Sequence, residues 1–398
     1  MSYFDPVLRA IIDISILITF AKIFSIVAAH FRMPEVLGEL FAGIVFGPFA
    51  LGSLMIGGEV LVAFNDHVLA FAEIGAILIL FVAGLQIGFH EFRALGRQSL
   101  IIGASGVIVP FLLGLLVTLA VPLDPTDLSG ALIVACALTA TSIAITMRTL
   151  DELGKLHTEE GHLMINAAAI DDVLGLIVLS VVISIITTGV TPSPVAVVWV
   201  IIRTLGLWIA LLLGTVYFGS KIVGYSKRWH TKGIIEIEAT AICFGSAVLS
   251  VMVGLHPIVG AFSAGMALAE AKVLEQVNEY ISKISLIFSP IFFAVIGARL
   301  NIWSLSLTSI YGILLLVALA VFSKFVGCGI PAFLTTKNSK IGARVGIGMI
   351  SRGEVGLIIA GIGLGTGAIS QDVYAQLVAM AIITTIIAAI LVRRFYRK

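Results

Sequence analysis

Charge is what this 398-residue chain has least of: only 12% of its residues are Asp, Glu, Lys or Arg, about half the share of a soluble domain. With 59% hydrophobic residues and a mean hydropathy of +1.14, it cannot cover a water-facing surface. That excludes a soluble globular enzyme and a disordered or collagen-like chain. Neither sign of charge dominates, because 24 Lys and Arg stand against 23 Asp and Glu. A basic face for nucleic acid and an acidic tail are both excluded. Cysteine is scarce. Cys136, Cys243 and Cys328 are odd in number, far apart and each inside an apolar run. Neither a disulfide framework nor a zinc site is indicated, and small packing residues are expected. The N-terminus has no basic stretch before its first apolar run, so a cleaved signal peptide is not expected.

What the chain has instead is long apolar runs. A helix needs about 20 such residues to cross hydrocarbon. Thirteen candidate spans are expected, at 8–30, 35–55, 67–88, 98–121, 128–148, 161–187, 195–220, 235–253, 257–270, 283–303, 307–334, 342–364 and 373–395. Leu, Ile, Ala and Gly run without alternation, which argues against strands. The expected fold is an all-α polytopic membrane protein. With the N-terminus outside, 18 of the 24 Lys and Arg fall in inside segments. Strict alternation with a cytoplasmic C-terminus satisfies this bias. Loops are short, and no appended soluble domain is expected.

Two segments resemble each other across the halves. Met33-Pro-Glu-Val-Leu-Gly-Glu-Leu-Phe-Ala-Gly43 matches His256-Pro-Ile-Val-Gly-Ala-Phe-Ser-Ala-Gly265 with one gap, and Leu80-Phe-Val-Ala-Gly-Leu-Gln-Ile87 matches Phe293-Ala-Val-Ile-Gly-Ala-Arg-Leu-Asn-Ile302. These are spans 2 and 3 against 9 and 10, an offset of seven. An odd offset reverses the entry side, so spans 1–6 and 8–13 are expected to form two inverted six-helix repeats, as in secondary transporters.

An ionisable residue deep in a span costs several kcal/mol, about 2.5–3.5 on insertion scales, and marks a functional candidate. Span 6 carries Asn166-Ala-Ala-Ala-Ile-Asp171-Asp172-Val-Leu-Gly175. Adjacent helical residues point about 100° apart, so the two carboxylates cannot share one role. One can face a cation of the protein and the other a water-filled cavity. Span 11 carries Lys324 well inside, where an acidic partner would keep it charged, and Asp171 or Asp172 is the obvious one. In span 12, Gly346-Ile-Gly-Met-Ile-Ser-Arg352-Gly-Glu354-Val-Gly356 suggests a broken helix whose ends Arg352 and Glu354 compensate. Span 5, its repeat partner, holds Thr141 and Ser142 at matching depth. Hydroxyls and freed carbonyls there can ligate a hard monovalent cation. Glu39, Glu73, Lys22 and Arg203 are expected to pair structurally at helix interfaces. Gly361-Ile-Gly-Leu-Gly-Thr-Gly367 is expected to pack helices closely, because no strand precedes it as a dinucleotide loop requires.

Ala169-Ile-Asp-Asp-Val-Leu-Gly175, Lys324, Pro34-Glu-Val-Leu-Gly-Glu39 and Arg352-Gly-Glu354-Val-Gly356 resemble the second cation/proton antiporter family, and within it the bacterial NapA-type sodium/proton antiporters. The resemblance covers nearly the whole chain. It implies a homodimer, with broken, crossing spans 5 and 12. Dimerisation helices would occupy 1–90 and 233–304, mobile core helices 91–190 and 305–398, and a linking helix 191–232. It further implies that Asp172 binds the cation or the proton, that Asp171 pairs with Lys324, and that Thr141, Ser142 and Glu354 lie near the site. Asp171 stands where electroneutral relatives tend to carry asparagine, which implies electrogenic exchange. The expected function is exchange of sodium, or lithium, for protons across the cell inner membrane, with potassium/proton exchange or potassium efflux by a transporter of the same family as the alternative. No resident cofactor is expected, since the metal ion and protons are cargo. A channel would show no saturable counterflow. An organic-anion symporter is not expected to carry paired aspartates with a lysine. An intramembrane aspartyl protease needs its two aspartates on separate helices.

Overall fold

The computed structural model describes residues 5–31, 33, 35–86, 96–121, 127–142, 150, 155, 158–188, 194–226, 233–269 and 274–396. Fifteen α-helices follow in order: α1 (Pro6–His30), α2 (Glu35–Phe46), α3 (Asp66–Leu85), α4 (Arg97–Ala120), α5 (Leu128–Ala137), α6 (Glu159–Thr188), α7 (Pro194–Ser226), α8 (Ile234–Met252), α9 (Pro257–Ala269), α10 (Leu274–Ala298), α11 (Leu307–Lys324), α12 (Ile330–Thr336), α13 (Ser339–Gly348), α14 (Glu354–Gly365) and α15 (Gln371–Tyr396). A π-helical turn, Phe325–Gly329, joins α11 to α12. Among the described residues, nine helices are long and apolar enough to cross a membrane, and four shorter apolar helices accompany them. The protein is a multi-pass membrane protein whose described residues are almost entirely helical. Leu112, Leu116 and Leu119 on α4 and Tyr311 and Leu314 on α11 are exposed, as side chains covered by lipid rather than water can be.

Several elements differ from the sequence reading for identifiable reasons. Span 2 was expected to run to residue 55. Its helix stops at Phe46, because Gly47-Pro48 follows and the residue before a proline is pushed out of the helical region. A small antiparallel hairpin then forms, with Met55 opposite Val60 and Ile56 opposite Glu59. No strand was expected, yet Gly57 and Gly58 both take positive φ, 63° and 91°, the conformation that closes a two-residue hairpin. Helix α10 begins at Leu274, nine residues before the expected 283. Its first turns are polar, so hydropathy does not register them.

The chain forms two compact units. One comprises Met1–Arg93 and Val198–Leu300, the other Ala94–Val197 and Asn301–Lys398. In the first, α1 packs on α2 as α8 packs on α9, α2 packs on α10 as α9 packs on α3, and α3 packs on α10. Exchanging α1–α3 for α8–α10 therefore reproduces the same set of neighbours. The matched glycines of the two halves explain the closeness. A Cβ on Gly43 would strike the Ala294 backbone and one on Gly297 the Leu40 backbone, while Gly265 and Gly84 stand in the same relation to Phe81 and Phe262. Small residues let membrane helices approach backbone to backbone. Pro34 and Ile87, at the edges of these motifs, lie outside the described residues.

The second unit shows the same exchange. Helix α4 packs on α6 as α11 packs on α15, α5 on α6 as α14 on α15, and α5 also meets α14. Helical structure stops at two places there. α5 ends at Ala137, and 139–142 continue without helix. α13 ends at Gly348, and α14 begins only at Glu354. The remainder of span 5, residues 143–148, lies outside the described residues.

Candidate functional site

The second unit buries three of the charged residues singled out in the sequence, Asp171, Lys324 and Arg352. Asp171 lies twelve residues into α6, about 18 Å along its axis, and is 1% exposed. Lys324 closes α11 and is 0% exposed. Its Nζ lies 2.5 Å from Asp171 Oδ1, across 153 residues of sequence. A buried ion pair of this kind is held only if each charge keeps its partner, since one left alone carries the full desolvation penalty. Asp172, one residue on, is half-buried and has interactions of its own. The adjacent carboxylates therefore differ in environment: one is sealed against a lysine, the other partly accessible.

The two non-helical stretches meet at Ser142 and Ser351, with Thr141 preceding Ser142. The Ser142 N–H donates to the Ser351 carbonyl at 2.9 Å, and the Ser351 hydroxyl donates to the Ser142 carbonyl at 2.6 Å. Each break thus satisfies backbone groups that the other leaves open, as a membrane interior requires. Thr141 and Ser142 are buried. Thr141 and Arg352 are the next electrostatic neighbours of Asp171 after Lys324. Among the described residues, Thr141 Oγ1 and Asp171 Oδ2 have no partner at good hydrogen-bond geometry, and the Thr141 hydroxyl lies close to the Asp171 carboxylate. Two buried oxygens thus lie on residues within the same unit as the half-buried Asp172. Hard oxygen donors of this kind suit a small monovalent cation. Among the described residues no group of three or more His, Cys, Asp or Glu side chains comes together, so any donor set here draws on hydroxyls and carbonyls as well as the aspartates.

Arg352 sits in the gap between α13 and α14 and is 1% exposed. Its Nη2 donates to the Ala320 carbonyl at 3.1 Å, and its own carbonyl accepts from the Thr385 hydroxyl at 2.6 Å. A cation in this gap complements the negative C-terminal end of α13. Glu354 opens α14, where an acidic residue complements the positive end of the dipole. Its side chain lies outside what is described.

The other singled-out charges scatter. Lys22 pairs with Glu35 at 3.2 Å on an exposed face. Glu39 is buried and receives a long bond, 3.4 Å, from Ser25. Glu73 and Arg203 are exposed on their helices, contrary to the interface pairing expected of them. Arg9 is buried in α1 and paired with Asp13 at 2.9 Å. Sequence reasoning passed over Ser351 and Thr385. Each is a hydroxyl in an apolar span beside a broken helix, a signal that could have found both.

A family model for the transmembrane sodium/hydrogen exchangers matches residues 15–398. The Na(+)/H(+)-K(+) antiporter GerN of Bacillus cereus is 32% identical over 381 residues, covering 94% of this chain and 93% of that one. The high-affinity Na(+)/H(+) antiporter NhaS3 of Synechocystis is 30% identical, covering 96% and 89%. The solved structure of the sodium proton antiporter MjNhaP1 from Methanocaldococcus jannaschii superposes with a TM-score of 0.71 at 18% identity, covering 98% and 99%. At that identity the superposition speaks to the fold alone.

Proposed function

Because the chain belongs to the sodium/hydrogen exchanger family, a family of membrane transporters and not of enzymes, we propose that it exchanges sodium, and also lithium, for protons at the Asp171–Asp172–Lys324 site. The observation that carries this reading is the contrast between neighbouring carboxylates: Asp171 sealed on Lys324, and Asp172 half-buried beside it. Asp172 takes either the cation or a proton, with Thr141 and Ser142 contributing oxygens. Occupancy by either ligand offsets the Asp172 charge, and the site with that charge offset can cross the low-dielectric barrier. The empty, charged site stays behind, because moving a bare charge into that barrier costs too much. This obligate alternation makes the exchange coupled rather than leaky.

The carrier step is an elevator motion of the core helices against the dimerisation helices of a homodimer. Arg352 and Glu354 steady the ends of the interrupted helices during it. Lys324 gives up a proton when the cation draws Asp171 away, so that two protons move per cation and the exchange is electrogenic. The protein sits in the cell inner membrane with its N-terminus outside and its C-terminus in the cytoplasm. Potassium/proton exchange is the second reading, and it is favoured by the potassium in the name of the B. cereus relative.

The test uses the purified chain in proteoliposomes loaded with a pH-sensitive dye and challenged with lithium, sodium and potassium in turn. Dequenching by sodium and lithium that is lost in Asp172→Asn supports the reading. A response to potassium alone selects the second reading, and full activity in Asp172→Asn refutes the site.

A further inference from the structure

The lysine of the site stands at the edge of a helix irregularity with a legible cause. Span 11 runs from Leu307 to Thr336 but is not one α-helix. It opens into a π-turn at Phe325–Gly329, immediately after Lys324. Pro331 lies four residues after Gly327. Proline has no N–H to give the carbonyl four residues back, and its ring crowds that carbonyl. The helix widens there, as helices do when the regular ladder is broken. Pro331 thereby removes the N–H that would bond the Gly327 carbonyl in an α-helix, and an unsatisfied group inside the membrane is costly.

Helix α4 supplies the missing donor. Ser105 Oγ lies 2.6 Å from the Gly327 carbonyl. The same hydroxyl is 2.7 Å from the Ile101 carbonyl and 3.2 Å from that of Ile102, but it has only one hydrogen. The Ile101 carbonyl has the Ser105 N–H as its helical donor, whereas the α-helical donor of the Gly327 carbonyl is removed by Pro331. The next residue, Gly106, forms the wall of the ion pair. A Cβ there would lie 3.5 Å from Asp171 Oδ1 and 3.6 Å from Lys324 Nζ, and would strike Cys328 Sγ at 2.6 Å. Helix α4 therefore touches both the pair and the turn that follows it. The spacing recurs between the repeats. Gly106 precedes Pro110 by four residues as Gly327 precedes Pro331, yet α4 stays α-helical through Pro110. Only the copy that carries the lysine is widened.

We propose that Ser105 is a positioning residue of the exchange site: by holding the Gly327 carbonyl it keeps the π-turn open and fixes the helical register that aims Lys324 at Asp171. The inference rests on the exchange reading of that pair. Closing the turn to α geometry would advance the register by one residue, about 100° of rotation. The lysine would then point away from the carboxylate. The charged and titratable groups around Lys324 are Asp171 from α6, Arg352 from the gap between α13 and α14, and Cys328 from the turn itself.

Wild type, Ser105→Ala, Ser105→Thr and Asp172→Asn are reconstituted together, and sodium-dependent proton flux is followed against pH. Ser105→Ala is expected to move the pH midpoint by about half a unit or more, the scale of one lost hydrogen bond, and Ser105→Thr to restore it. A lowered melting temperature with an unmoved midpoint means that Ser105 merely supports the fold, and it overturns the proposal. If Ser105→Ala does not fold, Pro331→Ala applies the same test. It returns an N–H to position 331 and lets the turn tighten, so the midpoint should move, and a fixed midpoint again overturns the proposal. A readout independent of transport is a thermal-unfolding cycle of Ser105→Ala with Lys324→Gln. A double variant losing clearly less than the two single losses together supports the coupling, and additive losses refute it. Failure of the exchange reading alone shows itself separately, as absent wild-type flux or as flux untouched by Asp172→Asn.

Discussion

Two buried ion pairs in this chain are built on opposite plans. Arg9 and Asp13 are one turn apart on α1 in the first unit, and they are closed on all sides. Both Asp13 oxygens meet the guanidinium, at 2.9 and 3.2 Å. The Ala63 N–H adds a bond at 3.1 Å, and Arg9 also donates to the Val60 carbonyl. The pair ties the hairpin connection down to α1. Lys324 and Asp171 come from separate helices of the second unit, share a single bond, and leave Asp171 Oδ2 without one. The difference separates a charge pair that serves folding from one available for chemistry. A closed local pair has no spare acceptor, whereas an open, long-range pair has one and can trade its partner.

Substitutions can break that contrast, beginning with the largest effect. Asp172→Asn should abolish sodium-dependent proton flux in proteoliposomes while leaving the melting temperature close to wild type, since the residue is only half-buried. Lys324→Gln should cost about 3–5 kcal/mol by stranding the Asp171 carboxylate. Asp171→Asn in the same chain should recover much of that loss, and chemical unfolding of the single and double variants measures both. Gly84→Ala should cost about 1–3 kcal/mol by overpacking, because its Cβ would meet the Phe262 backbone. Asp13→Asn should cost about 1–3 kcal/mol, the scale of a disturbed buried hydrogen-bonding group, and leave the sodium concentration for half-maximal flux unchanged. A moved sodium dependence in Asp13→Asn would erase the distinction between the two pairs.

Much of the membrane topography was legible because hydrophobic runs of about 20 residues have few alternative explanations. The helix ends that shifted did so where hydropathy is blind. At Gly47-Pro48 a local backbone rule stopped the helix, and at Leu274 a polar first turn hid its start. The hairpin came from two glycines, a signal of two residues that no window average detects. Within the site, Asp171, Asp172, Lys324 and Arg352 stood out because charge is conspicuous among apolar residues. Ser105, Ser351 and Thr385 did not, since a hydroxyl in a membrane helix ordinarily bonds back to its own backbone. Only the three-dimensional placement of a stranded carbonyl shows which hydroxyl reaches across. Pro331 was visible throughout, but its consequence four residues earlier depends on a neighbour more than two hundred residues away.

The most direct test is the sodium concentration that half-saturates flux, measured across a series of pH values in wild-type proteoliposomes. If cation and proton take turns at one carboxylate, that concentration should climb as pH falls, approaching about tenfold per pH unit for each competing proton. A half-saturating concentration that stays constant while the medium acidifies would mean that the two ions bind at separate places, and the shared-site account would be wrong.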